Sequence, residues 1–268
     1  ARALNFKAEP VWEHSQTMPD DRPATKLTQT LQRIVNASQE ETGLELLCLG
    51  FSVADPVDPN TGQVIPLPDS PFPAGHELRF LEAFSRGKVC PVILDNDVNW
   101  ATLAEQRFGC MQGENDFLFV YLGPGIGAGV FLSGQLHRGA RGLAGEIGYL
   151  DSGRDGNLLQ MIKRQPGNTW DQSIFEALGQ AIANANLLLN PAAIVLGGPL
   201  TESAGLFESL AERIQAKGAQ PLLINQPPLI KKSQMPQEGP LVGVAAYAHR
   251  RALESLGVLS TPANPLRF

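Results

Sequence analysis

Along this chain, apolar residues recur with two alternating spacings, and the alternation predicts an α/β protein. The opening segments ARALNF and PVWEH read as a short hairpin with Lys7–Glu9 between its arms. Over residues 25–42, Leu27, Leu31, Ile34, Val35 and Ser38 fall on one helical face, and Gly43 ends the helix. LELLCLGFSV (44–53) reads as a buried strand. Pro, Asp and Gly then punctuate the chain too often for regular structure until Phe80, with a short helix expected over 78–86. VIL (92–94) is a further strand that empties into Asp95–Asn96–Asp97. A helix follows over 98–108, with Val98, Ala101, Leu103, Ala104 and Phe108 on its apolar side.

The second half repeats the pattern. FLFVYLG (117–123) and AGVFL (128–132) are strands joined through LGPGIGAGVFLSG, which holds five glycines in thirteen positions. A helix over 172–189 turns Ile174, Ala177, Leu178, Ala181, Ile182, Ala185, Leu188 and Leu189 inward. AAIVLGG (192–198) is a strand ending in paired glycines, followed by helices over 203–216 and 241–256. Two lobes are expected, 1–109 and 110–240, with a hinge near 98–117 and helix 241–256 returning to the first.

Composition narrows the class. With 268 residues the chain can bury a substantial core. Its longest apolar runs are far too short to cross a bilayer, and ARALNFKAEP has no signal-peptide apolar stretch. Cys48, Cys90 and Cys110 form neither a disulfide framework nor a metal-ligand spacing, which suits a reducing, cytoplasmic setting. A net charge of −6 argues against a generally basic nucleic-acid surface, though not against DNA binding by a segment outside this chain.

Two sets of residues carry candidate chemistry. Glycine-rich turns let backbone N–H groups converge on an anion, but neither a Walker loop nor a dinucleotide fingerprint is present. A tight hairpin with close backbone packing is the simpler reading of Gly123–Gly129. Asn96 and Asp97 follow a strand, where α/β proteins place ligand groups, and Glu146 lies within GLAGEIGYL. Such side chains hydrogen-bond vicinal hydroxyls, and an Asp can take a hydroxyl proton during phosphoryl transfer. Read singly, each is also good cap or turn material. Trp100 reads as packing before ligand stacking.

The blocks ADPVDPNTGQV, VILDNDVNWATLAEQRFG, FLFVYLGPGIGAGVFLSGQLHRGARGLAGEIGYL and IVLGG, in this order, resemble the ROK family of bacterial sugar kinases and sugar-responsive repressors. The resemblance implies a two-lobed actin-like ATPase (ribonuclease H-like) fold, here lacking the first strand and the D-x-G-G-T phosphate loop of the family's kinases, as in part of a longer gene product. It further implies that Asn96 and Asp97 contact the sugar, with Asp97 matching the kinase base, and that Glu146 holds sugar hydroxyls. Gly123, Gly125 and Gly127 would match the second phosphate motif, and Gly197 and Gly198 the nucleotide side. Because the family forms dimers and tetramers, a homo-oligomer is expected.

Departures from the family pattern shape the functional expectation. Pro124 stands where the family carries Thr, and it offers neither hydroxyl nor N–H. Ala54–Asp55–Pro56 replaces a Pro-Gly-Pro of the sugar-side loop, adding a carboxylate. Tyr149 takes the place of a sugar-facing histidine, and DSGRDGNLLQ has no cysteine, so a structural zinc site is not expected. Loss of the Thr at Pro124 and of the first phosphate loop favours the effector-binding and oligomerising part of a sugar-responsive repressor over an enzyme. Its ligand residues would be Asn96, Asp97, Glu146, Tyr149 and Asp55, its DNA-reading domain would lie upstream, and it would need no cofactor. The first alternative is an ATP- and Mg-dependent sugar kinase acting on a hexose or N-acetylhexosamine, with Asp97 as base. The second is a degenerate oligomerisation module that binds no sugar.

Overall fold

The chain divides into two compact units in a computed structural model that describes residues 1–17, 23–68, 70, 75–85, 90–154, 156–165, 170–218 and 228–260. Unit one gathers residues 1–100, 140–143 and 240–268; unit two gathers 101–139 and 144–239. The change of unit thus falls at Trp100/Ala101, inside a helix, where the sequence reading sets its boundary at 109/110.

In unit one, β1 (Arg2–Leu4) and β2 (Pro10–Glu13) pair antiparallel as the opening hairpin. Helix α1 (Ala24–Thr42) buries Leu27, Thr30 and Ser38, and Gly43 closes it in the left-handed conformation at φ 67°. Strand β3 is confined to Leu49–Val53, shorter than the apolar run that predicts it. Its partner β4 (Val92–Asn96) begins opposite Leu49, so pairing rather than hydropathy sets where β3 starts. The two strands run parallel, and Val53 lies opposite Asn96. Between them, helix α2 (Phe80–Ser85) lays Phe80 and Phe84 on the Phe51 ring at 5.0 and 4.8 Å. With Leu27, Val57, Val64, Leu78 and Leu94 they form the core of this unit.

Helix α3 (Asp97–Phe108) is buried around its whole circumference from Val98 to Glu105. Apolar spacing therefore describes it poorly: Thr102 and Glu105 are buried, while Phe108, expected inside, is exposed beside the Arg107 guanidinium. Trp100 is fully buried and donates its indole N–H to the Phe51 carbonyl at 3.0 Å, a packing role.

The sheet of unit two runs in the order β11–β10–β5–β6–β7, formed by β5 (Phe117–Leu122), β6 (Ile126–Leu132), β7 (Gln135–His137), β10 (Ala193–Gly197) and β11 (Leu229–Lys232). Strands β11, β10 and β5 are parallel, whereas β5, β6 and β7 are joined as antiparallel hairpins. The segment after Glu146 adds β8 (Asp151–Arg154), β9 (Gly156–Asn157) and α4 (Leu158–Lys163), which hydropathy alone does not announce. The Asn157 side chain and Gln160 close a capping box at the start of α4.

Helix α5 (Gln172–Leu189) is capped by Asp171, whose carboxylate accepts from the Ser173 and Ile174 N–H groups. It packs on α6 (Leu206–Gly218), joining Ile174, Leu178 and Ile182 to Leu210 and Ile214 over Leu118, Val120 and Ile194 of the sheet. Leu188, counted inward by its spacing, is 85% exposed on the last turn of the helix. Helix α7 (Gly239–Ser255) packs in unit one through the buried Gly243 and Val244. Gly243 lies against the Trp100 backbone, and Val244 fills the space over Gly50.

Candidate functional site

The chemistry of unit one gathers where β3 and β4 end. Asp95 is fully buried, and its Oδ1 accepts from the Asn96 N–H and the Asn99 amide, both at 2.8 Å. The Asn96 side-chain carbonyl then caps α3, accepting from Val98 N–H at 2.9 Å and Asn99 N–H at 3.4 Å. The Asn96 amide reaches across the strand pair to the Ala54 carbonyl at 3.3 Å. Asn96 is thus first a cap and a bridge.

Asp97 opens α3 and remains partly exposed. Its Oδ1 accepts from the Val98 N–H at 2.8 Å. Burial by the atoms packed round it pushes its carboxyl up to about 6; the Val98 N–H opposes this and the nearby Asp55 charge adds to it. Asp55, two residues past the end of β3, is 2% exposed. Its Oδ2 accepts from the Ser70 hydroxyl at 2.7 Å, while its Oδ1 is buried with no hydrogen-bond partner among the described residues. Burial raises this carboxyl too, against the Ser70 hydrogen bond and the His76 charge. Sequence reasoning missed Asp95 and Ser70. Asn99, one helical turn past Asp95, is the available signal for the former; nothing near Ser70 announces the latter.

In unit two the glycines have divergent uses. A Cβ on Gly129 would overlap the Thr102 side chain, so that glycine lets α3 approach β6. Gly145, at φ 88°, presses its Cα face on the Ala128 carbonyl, and its own carbonyl accepts from the Ala128 N–H at 2.7 Å. Gly148 packs on the Ile126 carbonyl in the same way. Gly198, at φ 90°, lies on the Leu122 backbone, which brings the paired glycines after β10 beside the turn that begins at Gly123. Gly197 faces Phe119 and Ser233. Gly123 donates its N–H to the Gly125 carbonyl at 3.1 Å, and a Cβ on Gly125 would meet open space. Gly127 sits opposite Tyr121 in the β5–β6 ladder, and Pro124 is exposed at the tip.

Glu146, also in unit two, is half-buried and starts a single helical turn, accepting the Tyr149 N–H on its backbone carbonyl at 3.1 Å. Tyr149 is half-buried beside it. The close packing of Gly145 and Gly148 on β6 fixes the backbone on both sides of Glu146. Among the described residues, no three His, Cys, Asp or Glu side chains lie together as metal ligands would. No helix among them is long and apolar enough to cross a membrane.

A carboxylate at the mouth of a parallel strand pair and backbone turns on an α/β sheet stand where α/β folds place ligand groups. The chain belongs to the ROK family, whose residue pattern it matches over 3–158 and 164–251. It is 50% identical over 66 residues to the beta-glucoside kinase of Listeria monocytogenes (25% of this chain, 22% of that protein). It is 27% identical over 148 residues to the xylose repressor of Caldicellulosiruptor bescii (54% of this chain, 36% of that protein). The chain spans little more than a third, or less, of the curated relatives it matches. In fold it resembles a ROK glucokinase of Streptomyces griseus, solved with glucose and AMPPNP (TM-score 0.71, 18% identity, 93% of this chain and 95% of that one).

Kinase names outnumber regulator names among these relatives and solved neighbours, which overturns the expectation that the chain is not an enzyme. That expectation leaned on Pro124 and on the absence of the first phosphate loop from the sequence. Proline removes one N–H at the tip of the turn but leaves the flanking glycines in place.

Proposed function

We propose that the chain is the sugar-phosphorylating part of a ROK kinase, moving the terminal phosphoryl group of ATP to a hydroxyl of a hexose-type sugar. The observation that carries this is Asp97: a partly exposed carboxylate at a strand end, poised at about 6 and ionised at neutral pH. The sugar hydroxyl gives its proton to the Asp97 carboxylate while its oxygen bonds to the terminal phosphorus. The bond from that phosphorus to the bridging oxygen breaks, and ADP leaves. Asn96 and Asp95 set the position of Asp97, the first by capping α3 and the second by holding Asn96 and Asn99. The backbone N–H groups around Gly125 are the proposed phosphate contacts, and the half-buried Glu146 a proposed acceptor for sugar hydroxyls.

The test is ADP release, with the product identified by mass, across hexoses and N-acetylhexosamines with Mg-ATP. The chain should form a sugar phosphate, and Asp97→Asn should lower kcat about 10²- to 10⁴-fold with sugar affinity largely kept. Saturable sugar binding with no phosphorylated product from any sugar would overturn the reading.

A further inference from the structure

Phosphoryl transfer leaves Asp55 without a task. Its carboxylate is withdrawn from solvent, yet only Oδ2 receives a hydrogen bond, from Ser70 at 2.7 Å. Oδ1 is buried and has no partner among the described residues. A buried carboxylate oxygen without a donor is costly, and native proteins keep few of them. The strand register explains where this oxygen lies: Val53 is opposite Asn96, the Asn96 amide holds the Ala54 carbonyl, and the next residue on each strand brings Asp55 into electrostatic range of Asp97. Asp55 adopts an ordinary backbone conformation, so the loop is not strained into presenting it.

Two carboxylates therefore share one strand end, one of them with an open acceptor. The charged groups acting on Asp55 are Asp97 and the exposed His76 imidazole, and among the described residues neither Lys nor Arg hydrogen-bonds to it. A neutral ligand hydroxyl would satisfy Oδ1 but leave two like charges uncompensated. An ammonium group would supply both the hydrogen bond and the missing positive charge, and charge-assisted hydrogen bonds are the stronger kind.

We propose that Asp55 is a specificity determinant that takes the ammonium group of an amino sugar, so that the preferred substrate is a hexosamine with a free amine rather than the parent hexose. Its substrate half rests on the kinase reading; its recognition half does not. The N-acetylated sugar, which has lost the charge, is not favoured by this contact.

The experiment is calorimetric titration, without nucleotide, of glucosamine against glucose, mannosamine against mannose and galactosamine against galactose, at a pH where the amines are charged. The chain should bind at least one amino sugar about ten- to a hundredfold more tightly than its parent. Asp55→Asn, close in shape, and Asp55→Ala should erase that preference, with unaltered circular dichroism as the check on folding. Equal affinity for amine and parent, an undiminished preference in both variants, or no binding of any sugar would overturn the proposal. An amino preference with no phosphate transferred from ATP would keep it and overturn the kinase reading. Phosphorylation of hexose and hexosamine with equal kcat/KM would do the reverse.

Discussion

On the proposed kinase reading, Asp97 would act as a base only when ionised, so the position of its titration would set the acid limit of the reaction. An undisturbed aspartate would stay ionised down to about 4. With Asp97 held at about 6, kcat/KM should fall about tenfold per pH unit below that point, visible in a pH–rate profile. Asp55→Asn removes a neighbouring negative charge, so the inflection should move to lower pH; an unmoved inflection would show that the Asp55 charge does not reach the base. At this scale the sequence was informative about residue type and less so about role. Asn96 and Asp97 are legible as polar residues at a strand end, but no spacing reveals that Asn96 uses its carbonyl as a cap and its amide as a bridge. Ser70 is invisible beforehand because its partner lies fifteen residues away across a segment with no period to read.

Elements proved more legible than residues wherever one face met a core. Helices α1 and α5 follow their apolar spacing because each has a solvated side. Helix α3 does not, since burial on every side removes the contrast on which periodicity depends. The glycines separate by the same logic. Gly145→Ala would force a side chain into a positive-φ position already occupied by the Ala128 carbonyl, and should cost about 2–4 kcal/mol in urea denaturation. Gly125→Ala, directed into open space, should leave stability within about 0.5 kcal/mol while weakening nucleotide affinity. If both variants lost stability alike, the hairpin would be a packing device throughout.

Over the whole molecule, the noteworthy feature is that unit one is assembled from three stretches of chain. Its last piece, α7, places Gly243 on the Trp100 backbone and Val244 over Gly50. Ending the chain before Gly239 should therefore strip unit one of that cover, detectable as a red-shifted tryptophan emission and faster proteolysis within residues 1–100. Unit two has its own long-range tie in Glu105, which is fully buried. Its Oε1 accepts from Ser233 Oγ at 2.6 Å and from the Gln234 and Met235 N–H groups at 3.0 Å, and its Oε2 from the Cys110 N–H at 2.9 Å. Glu105→Ala should lower stability by about 2–4 kcal/mol, because the donors it leaves behind are buried or nearly so. A glutamate inside AEQRFG reads as a surface residue, and only the fold reveals a tie spanning more than a hundred positions.

The packing of Gly145, Gly148 and Gly198 against neighbouring backbone also bears on how such proteins diverge. A lineage that abandoned phosphoryl transfer for ligand sensing would still be held to these glycines, because replacing them breaks the fold before any ligand is involved. Position 125 is under no such obligation and is free to drift once the nucleotide is gone. Glycines of the first kind are therefore held by the fold whatever the chain binds, whereas the residue at position 125 would answer to the proposed nucleotide contact alone.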